Sequence, residues 1–187
     1  MRCLSCGRLA FSPLCRECRK LSFAPRPKLR RLACGLDVLS FYSYDEIEPF
    51  LLSKHLPHGW FVYNIIAYET FKIMERRDGE IYAVPVDDDS SGGYSHTAVL
   101  AKELKKCGYT PLWNVLRARN RVSYAGRPLS FRLENPRRFG YSGPGGIEAV
   151  LVDDIVTTGL TLQEAYGVLR RNGVEVSTAF VLADVDR

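Results

Sequence analysis

The sequence feature that most constrains the fold is a short apolar run that ends in two consecutive aspartates. Ile147–Val152 is mostly apolar, and Asp153 and Asp154 follow it directly. A strand of this kind is expected where helices cover both faces of a parallel sheet. Thr161–Arg171 then repeats apolar residues at helical spacing, and Val174–Ala183 reads as the next strand. These segments predict a strand–helix–strand unit with a right-handed crossover.

The same alternation extends upstream and predicts an α/β domain with a mainly parallel sheet. Strands are predicted at Asp37–Tyr44 and Ile81–Val86, and helices at Asp45–Leu52, Trp60–Arg76 and Tyr94–Lys106. We therefore divide the chain into a cysteine module at residues 1–20, a basic linker or extended arm at 21–36, and an α/β domain at 37–187. Two prolines in the middle segment favour the linker interpretation.

The turn after the two aspartates has the composition of an anion site. It reads Thr157-Thr158-Gly159-Leu160-Thr161 and leads into the predicted helix. Hydroxyls, backbone N–H groups and the positive end of the helix dipole meet there, and the glycine lets the backbone curl around a phosphate. The aspartates would repel that phosphate directly, so we expect them to bind sugar hydroxyls or Mg²⁺ nearby. A phosphate joined to a ribose satisfies both halves, whereas a plain helix cap explains only one acid and one threonine.

Four cysteines in the first twenty residues have metal-ligand spacing. Cys3 and Cys6 form one Cys-x-x-Cys pair, and Cys15 and Cys18 form a second pair eight residues later. Two such pairs complete a closed tetrahedral zinc site, whose metal would supply about 10 kcal/mol of folding free energy. Disulfides and a redox-active Cys-x-x-Cys are the alternatives. We expect the remaining two cysteines, Cys34 and Cys107, to be buried free thiols.

The charge distribution suggests an anionic partner. Arg16–Arg31 and Arg117–Arg138 each contain seven basic residues and one acid, although the whole chain carries only +5. Solvated surface segments are the alternative. We find no apolar stretch of about 18 residues and no secretion signal, so we expect a cytoplasmic protein without membrane insertion.

The segment Val150–Leu162 resembles the thirteen-residue phosphoribosyl-pyrophosphate (PRPP) motif of type I phosphoribosyltransferases. Together with the N-terminal cysteines and the chain length, it makes the chain resemble the ComF family, which is tied to DNA uptake in natural transformation. The resemblance covers most of the chain. Val84–Val86 is similar to the family's strand before its pyrophosphate loop, Gly93–His96 to its next helix start, and Arg132–Asn135 to its Arg-x-x-Asn, with the aromatic Phe139 after it.

The resemblance implies roles for individual residues. Asp153 and Asp154 would contact the ribose hydroxyls and Mg²⁺, and residues Thr157, Thr158, Gly159, Leu160 and Thr161 would hold the 5′-phosphate. The pyrophosphate would meet Val86, Asp87, Asp88, Lys54 and His96, and a role for His96 in starting the next helix is the alternative for that residue. The family usually has arginine in this last loop, but here Asp87, Asp88 and Asp89 stand together. We expect either that Mg²⁺ bridges these acids or that pyrophosphate is held weakly.

Three functions are compatible with these patterns. The family role is DNA uptake, with Mg²⁺–PRPP bound at the motif and other uptake proteins as partners. Single-stranded DNA would follow the cysteine module, the Arg16–Arg31 arm and the segment that contains Arg119, Arg121, Tyr124 and Arg132. Aromatic rings interleaved with arginines are typical of surfaces that bind single strands. The second function is an active phosphoribosyltransferase whose acceptor the sequence does not identify. The third is a regulator that senses PRPP without consuming it.

Overall fold

The computed structural model describes residues 1–87, 89–90, 93–120 and 129–185, and of Leu129 it describes the backbone alone. The helices in these ranges are α1 (Arg16–Ser22), α2 (Tyr44–Leu51), α3 (Gly59–Phe71), α4 (His96–Leu104), α5 (Leu129–Glu134) and α6 (Leu160–Arg171). The strands are β1 (Lys28–Arg31), β2 (Asp37–Ser43), β3 (Ile81–Pro85), β4 (Tyr109–Pro111), β5 (Leu116–Ala118), β6 (Phe139–Tyr141), β7 (Glu148–Val156) and β8 (Glu175–Asp184). Short 3₁₀ turns follow α2 at Leu52–His55 and α4 at Lys105–Cys107.

In the described ranges, six strands form one sheet in the order β1-β2-β8-β7-β3-β4. Four neighbouring pairs are parallel, and β1 is antiparallel to β2 at one edge. Strands β5 and β6 form a separate antiparallel pair. This topology confirms the predicted α/β class with a mainly parallel sheet.

Two hydrophobic clusters lie on opposite faces of the sheet. One contains side chains of α2, α3 and α4, and the other contains side chains of α6 and of the β5–β6 pair. The central strand β7 contributes to both clusters, with Val150 and Val152 in the first and Ala149 and Leu151 in the second. Burial on both faces explains why this strand is almost entirely apolar up to Asp153.

Most predicted elements are confirmed, with shifts at their ends. Strand β7 continues through both aspartates to Val156, so the acids lie within the strand and not after it. Helix α3 ends at Phe71, five residues before the predicted end. The segment 21–36 was predicted as a linker or extended arm, and it contains β1, which pairs with β2 through residues such as Arg31 and Asp37.

The cysteine module packs against the sheet through a few apolar side chains. Cys3, Leu14 and Cys18 of the module, and Phe23 shortly after it, are buried in the same cluster as the side chains of α2 and α3. The ring of Phe23 meets that of Phe50 edge to face, with centroids 4.9 Å apart. The first twenty residues therefore contact the α/β core directly, despite having almost no core of their own.

The two cysteines outside the module differ from each other. Cys107 is buried, as predicted, and its thiol donates to the Phe71 carbonyl. The prediction that Cys34 is buried is wrong, because Cys34 is exposed in the tight turn between β1 and β2. The tip of this hairpin connection lies in solvent, as loop tips commonly do, whereas Leu32 and Leu36 on either side of it are buried. No helix in the described part of the chain is long and apolar enough to cross a membrane.

Candidate functional site

Strand β7 carries two neighbouring aspartates in its carboxyl-terminal half. Hydrogen-bonded strands flank it on both sides, β3 and β8, which fixes the backbone that presents the acids. Both side chains are buried, with Asp153 9% and Asp154 5% exposed. The Asp154 N–H donates to Asp153 Oδ1 over 2.8 Å. Open α/β sheets bind ligands at this edge, where the carboxyl ends of the parallel strands meet.

Asp154 is the centre of a polar cluster from three other elements. Its Oδ2 accepts hydrogen bonds from Lys54 Nζ at 2.7 Å and from the Tyr63 hydroxyl at 3.1 Å, and His96 Nε2 lies 3.5 Å away. Lys54 comes from the 3₁₀ turn after α2, Tyr63 from α3, and His96 from the first turn of α4. Lys54 and His96, which the resemblance assigns to pyrophosphate, thus contact the aspartate.

The two carboxyl groups have different electrostatic environments. Burial raises the pKa of Asp153 well above its usual range, and the neighbouring charge of Asp154 raises it further. Burial acts in the same direction on Asp154, but His96 and Lys54 outweigh it and hold the pKa of Asp154 well below its usual value. Burial also lowers the pKa of His96. Adjacent acids whose pKa values are shifted in opposite directions are typical of functional sites.

The turn after β7 leads directly into helix α6. Gly159 is the residue before the helix and has φ +78°, a left-handed conformation that favours glycine. Thr157 and Thr158 precede it, and Leu160 and Thr161 open the helix. Together with Arg132, residues 155–162 line a small cavity.

Arginines that are distant in sequence contact this turn. Arg132 Nη1 donates to Thr157 Oγ1 over 2.9 Å, and Arg30 Nη2 donates to the Thr157 carbonyl over 2.8 Å. Arg132 was predicted to contact DNA, and in the structure its guanidinium lies at the turn. The segment that contains Arg30 is recognisably basic in the sequence, but no local signal links this residue to the turn.

In the acidic loop after β3, Asp87 has polar and basic neighbours that the sequence does not indicate. Asp87 has φ +51°, and its Oδ1 accepts a hydrogen bond from the Ala118 N–H at 2.9 Å. Arg137 Nη1 lies 3.5 Å from Asp87 Oδ2, so this acid has a basic neighbour from the arginine-rich segment. Val86, which precedes it, is buried and hydrogen-bonded to Val152 of β7. Asp88 lies outside the described residues.

Of the four residues predicted to bind DNA, the structure describes Arg119 and Arg132. Arg119 directly follows β5, with its guanidinium against Gly140 of β6. Arg132 contacts the turn, as described above. Arg121 and Tyr124 lie outside the described residues. The arginine-rich segment therefore serves at least two places, because Arg132 and Arg137 contact the β7 and β3 loops.

The four N-terminal cysteines converge, and their arrangement could hold one metal ion. Their sulfurs all lie within 4.8 Å of one another, and the Cys6 and Cys15 sulfurs are 3.8 Å apart. In a tetrahedral site with Zn–S bonds of about 2.3 Å, neighbouring sulfurs are about 3.8 Å apart. Backbone N–H groups of Cys15 and Cys18 donate to the sulfurs of Cys3 and Cys15. The six cysteines of the chain, all described, are free thiols.

Comparison with known proteins gives a structural similarity only. No family model matches the chain, and no curated protein matches it. Among solved structures, the chain is similar to the crystal structure of orotate phosphoribosyltransferase from Aeropyrum pernix. The two share 19% sequence identity, the match covers 88% of this chain and 78% of that chain, and the TM-score is 0.40.

Proposed function

We propose that the chain binds Mg²⁺–PRPP, with the ribose hydroxyls at Asp153 and Asp154 and the 5′-phosphate in the turn Thr157–Thr161. One observation carries this proposal: two buried acids in β7 are separated by only two residues from a glycine-containing turn at the start of α6. Carboxylates accept hydrogen bonds from sugar hydroxyls, while backbone N–H groups at a helix start bind phosphate. A ribose phosphate is a ligand that uses both groups at once.

Mg²⁺ fits the oxygen donors beside this turn. Asp153 and Asp154 offer carboxylate oxygens, and with His96 their ligand atoms lie within 4.8 Å of one another. Because Mg²⁺ prefers oxygen and keeps several waters, the two acids suit it better than the imidazole does. The bound ion would neutralise the pyrophosphate of PRPP. Lys54 places a second positive charge at this site, where its ammonium donates a hydrogen bond to Asp154.

We propose that the four N-terminal cysteines bind a structural zinc ion. Four thiolates close the coordination sphere and leave no position for a substrate. This site would define the module at 1–20 within the proposed division into that module, the segment at 21–36 and the domain at 37–187, although β1 of the middle segment pairs with the sheet of the domain.

We also propose that the protein handles single-stranded DNA during uptake, in the cytoplasm and with other uptake proteins. A groove between the cysteine module and α3 supports this proposal. Arg16, Lys20 and Lys72 line it, Tyr68 lies on its α3 side, and Phe11 is fully exposed at its rim. Basic side chains with exposed rings are the features that bind single strands without sequence preference.

Two alternatives share the PRPP site but differ in its use. An active transferase would let an acceptor attack C1 of the ribose while pyrophosphate leaves, and a sensor would bind PRPP intact. Incubation with Mg²⁺–PRPP and nucleobase mixtures distinguishes them, because only the transferase releases pyrophosphate when an acceptor is present.

The binding proposal is tested by thermal denaturation with Mg²⁺–PRPP. At a ligand concentration 100 times the Kd, mass action stabilises the folded state by about 2.7 kcal/mol, so we expect a clear rise in Tm. The variant Asp153→Ala/Asp154→Ala should lose this rise. Glu148→Ala/Glu175→Ala, which removes two exposed acids from the other ends of β7 and β8, should retain it. An equal rise for wild type and the double aspartate variant contradicts the proposal.

A further inference from the structure

In the edge hairpin β1–β2, one side chain of β1 and one side chain of the connecting loop face the turn Thr157–Thr161. Side chains alternate along a strand, so Arg30 and Leu32 lie on one side and Arg31 on the other. Arg31 is 70% exposed at its side chain and pairs with Asp37 on the neighbouring strand. Arg30 is only 23% exposed at its side chain. Of these two arginines, Arg31 therefore faces solvent and Arg30 faces the candidate site.

Arg30 links the turn to the end of strand β8. Its Nη2 donates to the Thr157 carbonyl at 2.8 Å, and its Nη1 lies 3.0 Å from Asp184 Oδ1. Asp184 is 3% exposed at its side chain and is the last residue of β8, opposite Val156 of β7. A guanidinium with two directed contacts holds a backbone carbonyl in one orientation more firmly than a flexible ammonium does.

Leu32 covers the glycine of the same turn. A Cβ atom on Gly159 would lie 2.6 Å from Leu32 Cδ2 and 3.0 Å from Cδ1, so the two residues are in direct contact. Leu32 is itself fixed by the hairpin, since its N–H donates to the Leu36 carbonyl and its carbonyl accepts from the Gly35 N–H. The hairpin thus contacts the turn at Thr157 and again at Gly159.

We propose that Arg30 is a positioning residue that, with Leu32, holds the turn Thr157–Thr161 in its phosphate-binding conformation. This inference rests on the proposed binding of PRPP at that turn. It makes the segment between the cysteine module and the α/β domain a part of the ligand site, acting through the backbone of Thr157 and without touching the ligand. Bound phosphate depends on correctly directed N–H groups, so a turn without this support binds it less tightly.

The test compares the affinities of Arg30→Ala and Arg31→Ala for three ligands by titration calorimetry. Both variants lose an arginine of the same strand that pairs with an aspartate, but only Arg30 contacts the turn. We expect Arg30→Ala to weaken ribose 5-phosphate and Mg²⁺–PRPP by about tenfold, the effect of losing roughly one well-directed hydrogen bond to a charged group. Mg²⁺–pyrophosphate binding should be unchanged, and Arg31→Ala should bind all three ligands as wild type does.

Arg30→Ala leaves Asp184 buried without this guanidinium and lowers stability, so two milder variants accompany it. Arg30→Lys keeps the charge but not the two-pronged geometry, and its ribose 5-phosphate affinity should lie between those of wild type and Arg30→Ala. Leu32→Ala opens the space over Gly159 and should also weaken ribose 5-phosphate selectively.

The outcomes separate this inference from the proposed function. A selective loss of ribose 5-phosphate affinity in the Arg30 and Leu32 variants supports the positioning role. Equal affinities in wild type and the Arg30 variants overturn it, as does an equal loss for pyrophosphate and ribose 5-phosphate, which indicates general unfolding. A wild-type protein that binds neither ribose phosphate overturns the proposed function, and the inference with it.

Discussion

At the scale of single residues, the buried acids of β7 are stabilised unequally. Asp154 has a lysine and a tyrosine hydroxyl as hydrogen-bond donors, whereas Asp153 accepts a backbone N–H from its neighbour. A carboxylate that is buried with few compensating partners costs folding free energy in the absence of ligand. Such a residue fits a role in ligand binding better than a role in stability.

We expect Asp153→Asn to stabilise the ligand-free protein. The pKa of Asp153 is higher in the folded than in the unfolded state. Protonated Asp153 therefore contributes its full stability below the unfolded pKa of about 3.9, and this contribution is lost as pH rises through the folded-state pKa. Asparagine carries no charge and can still accept the Asp154 N–H. Thermal denaturation between pH 5 and pH 8 without Mg²⁺ should show Tm of the variant above wild type, by roughly 2–4 °C for each kcal/mol recovered, with the gap growing at higher pH. Parallel pH profiles contradict this.

Gly159 combines backbone strain with close packing, and two substitutions separate these effects. Gly159→Ala forces φ +78° on a residue with a Cβ and pushes that atom against Leu32. We expect a loss of roughly 1–3 kcal/mol from the backbone conformation and a further loss from the contact. Gly146→Ala is the control, because Gly146 has φ +70° with no atom within 4 Å of the added Cβ. Urea unfolding of both variants measures the difference, and equal losses exclude a packing role for Leu32.

At the scale of elements, the cysteine module and α1 depend on the α/β core as well as on metal. Cys18 of α1 is buried in the core cluster, and Phe23, just after α1, packs on Phe50 of α2, so loosening the module exposes apolar surface on the domain. We therefore expect the module and the domain to unfold with partial coupling and not as independent units.

Metal analysis of the purified protein should give about one zinc per chain. Cys15→Ser/Cys18→Ser should release it and lower Tm of the whole protein, because Cys18 and its neighbours are buried in the core cluster. Cys34→Ser, at an exposed turn, should change neither zinc content nor Tm. Unaltered zinc in the double variant means that these four cysteines do not form the site.

At the scale of the whole molecule, the basic groups lie on separate surfaces. Some arginines of the Arg117–Arg138 segment are engaged at the candidate site, whereas the groove beside α3 is lined by Arg16 and Lys20. The groove is therefore the better candidate for a DNA surface in the described part of the chain.

Binding of a 30-residue single strand should weaken with salt by a log–log slope of about −0.7 for each neutralised phosphate. Arg16→Ala/Lys20→Ala should reduce both affinity and slope, by roughly 1.4 in slope if both residues neutralise phosphates. Arg119→Ala/Arg121→Ala tests the alternative surface. Arg170→Ala/Arg171→Ala removes two exposed arginines at the end of α6 and should have no effect. No detectable binding by wild type at low salt excludes a direct DNA role.

The sequence by itself determined the features that are encoded within short segments. The apolar strand, the two aspartates and the turn into α6 occupy fewer than thirty consecutive residues, and local periodicity and turn chemistry specify them. The convergence of the four cysteines likewise follows from two closely spaced pairs. Even here the predicted strand end was wrong, because Asp153 pairs with Val181 and the strand continues through Asp154, which polar residues alone do not predict.

Only the tertiary structure decided which side chains surround these features. Lys54 and Tyr63 reach Asp154 from 100 and 91 residues away, and Arg30 reaches Thr157 from 127 residues away. These contacts depend on the spatial order of the strands in the sheet. The strand β1 comes first in the chain and lies at one edge of the sheet. Local propensity carries no information about strand order. A basic segment that reads as a solvated linker can therefore supply an arginine to the candidate ligand site.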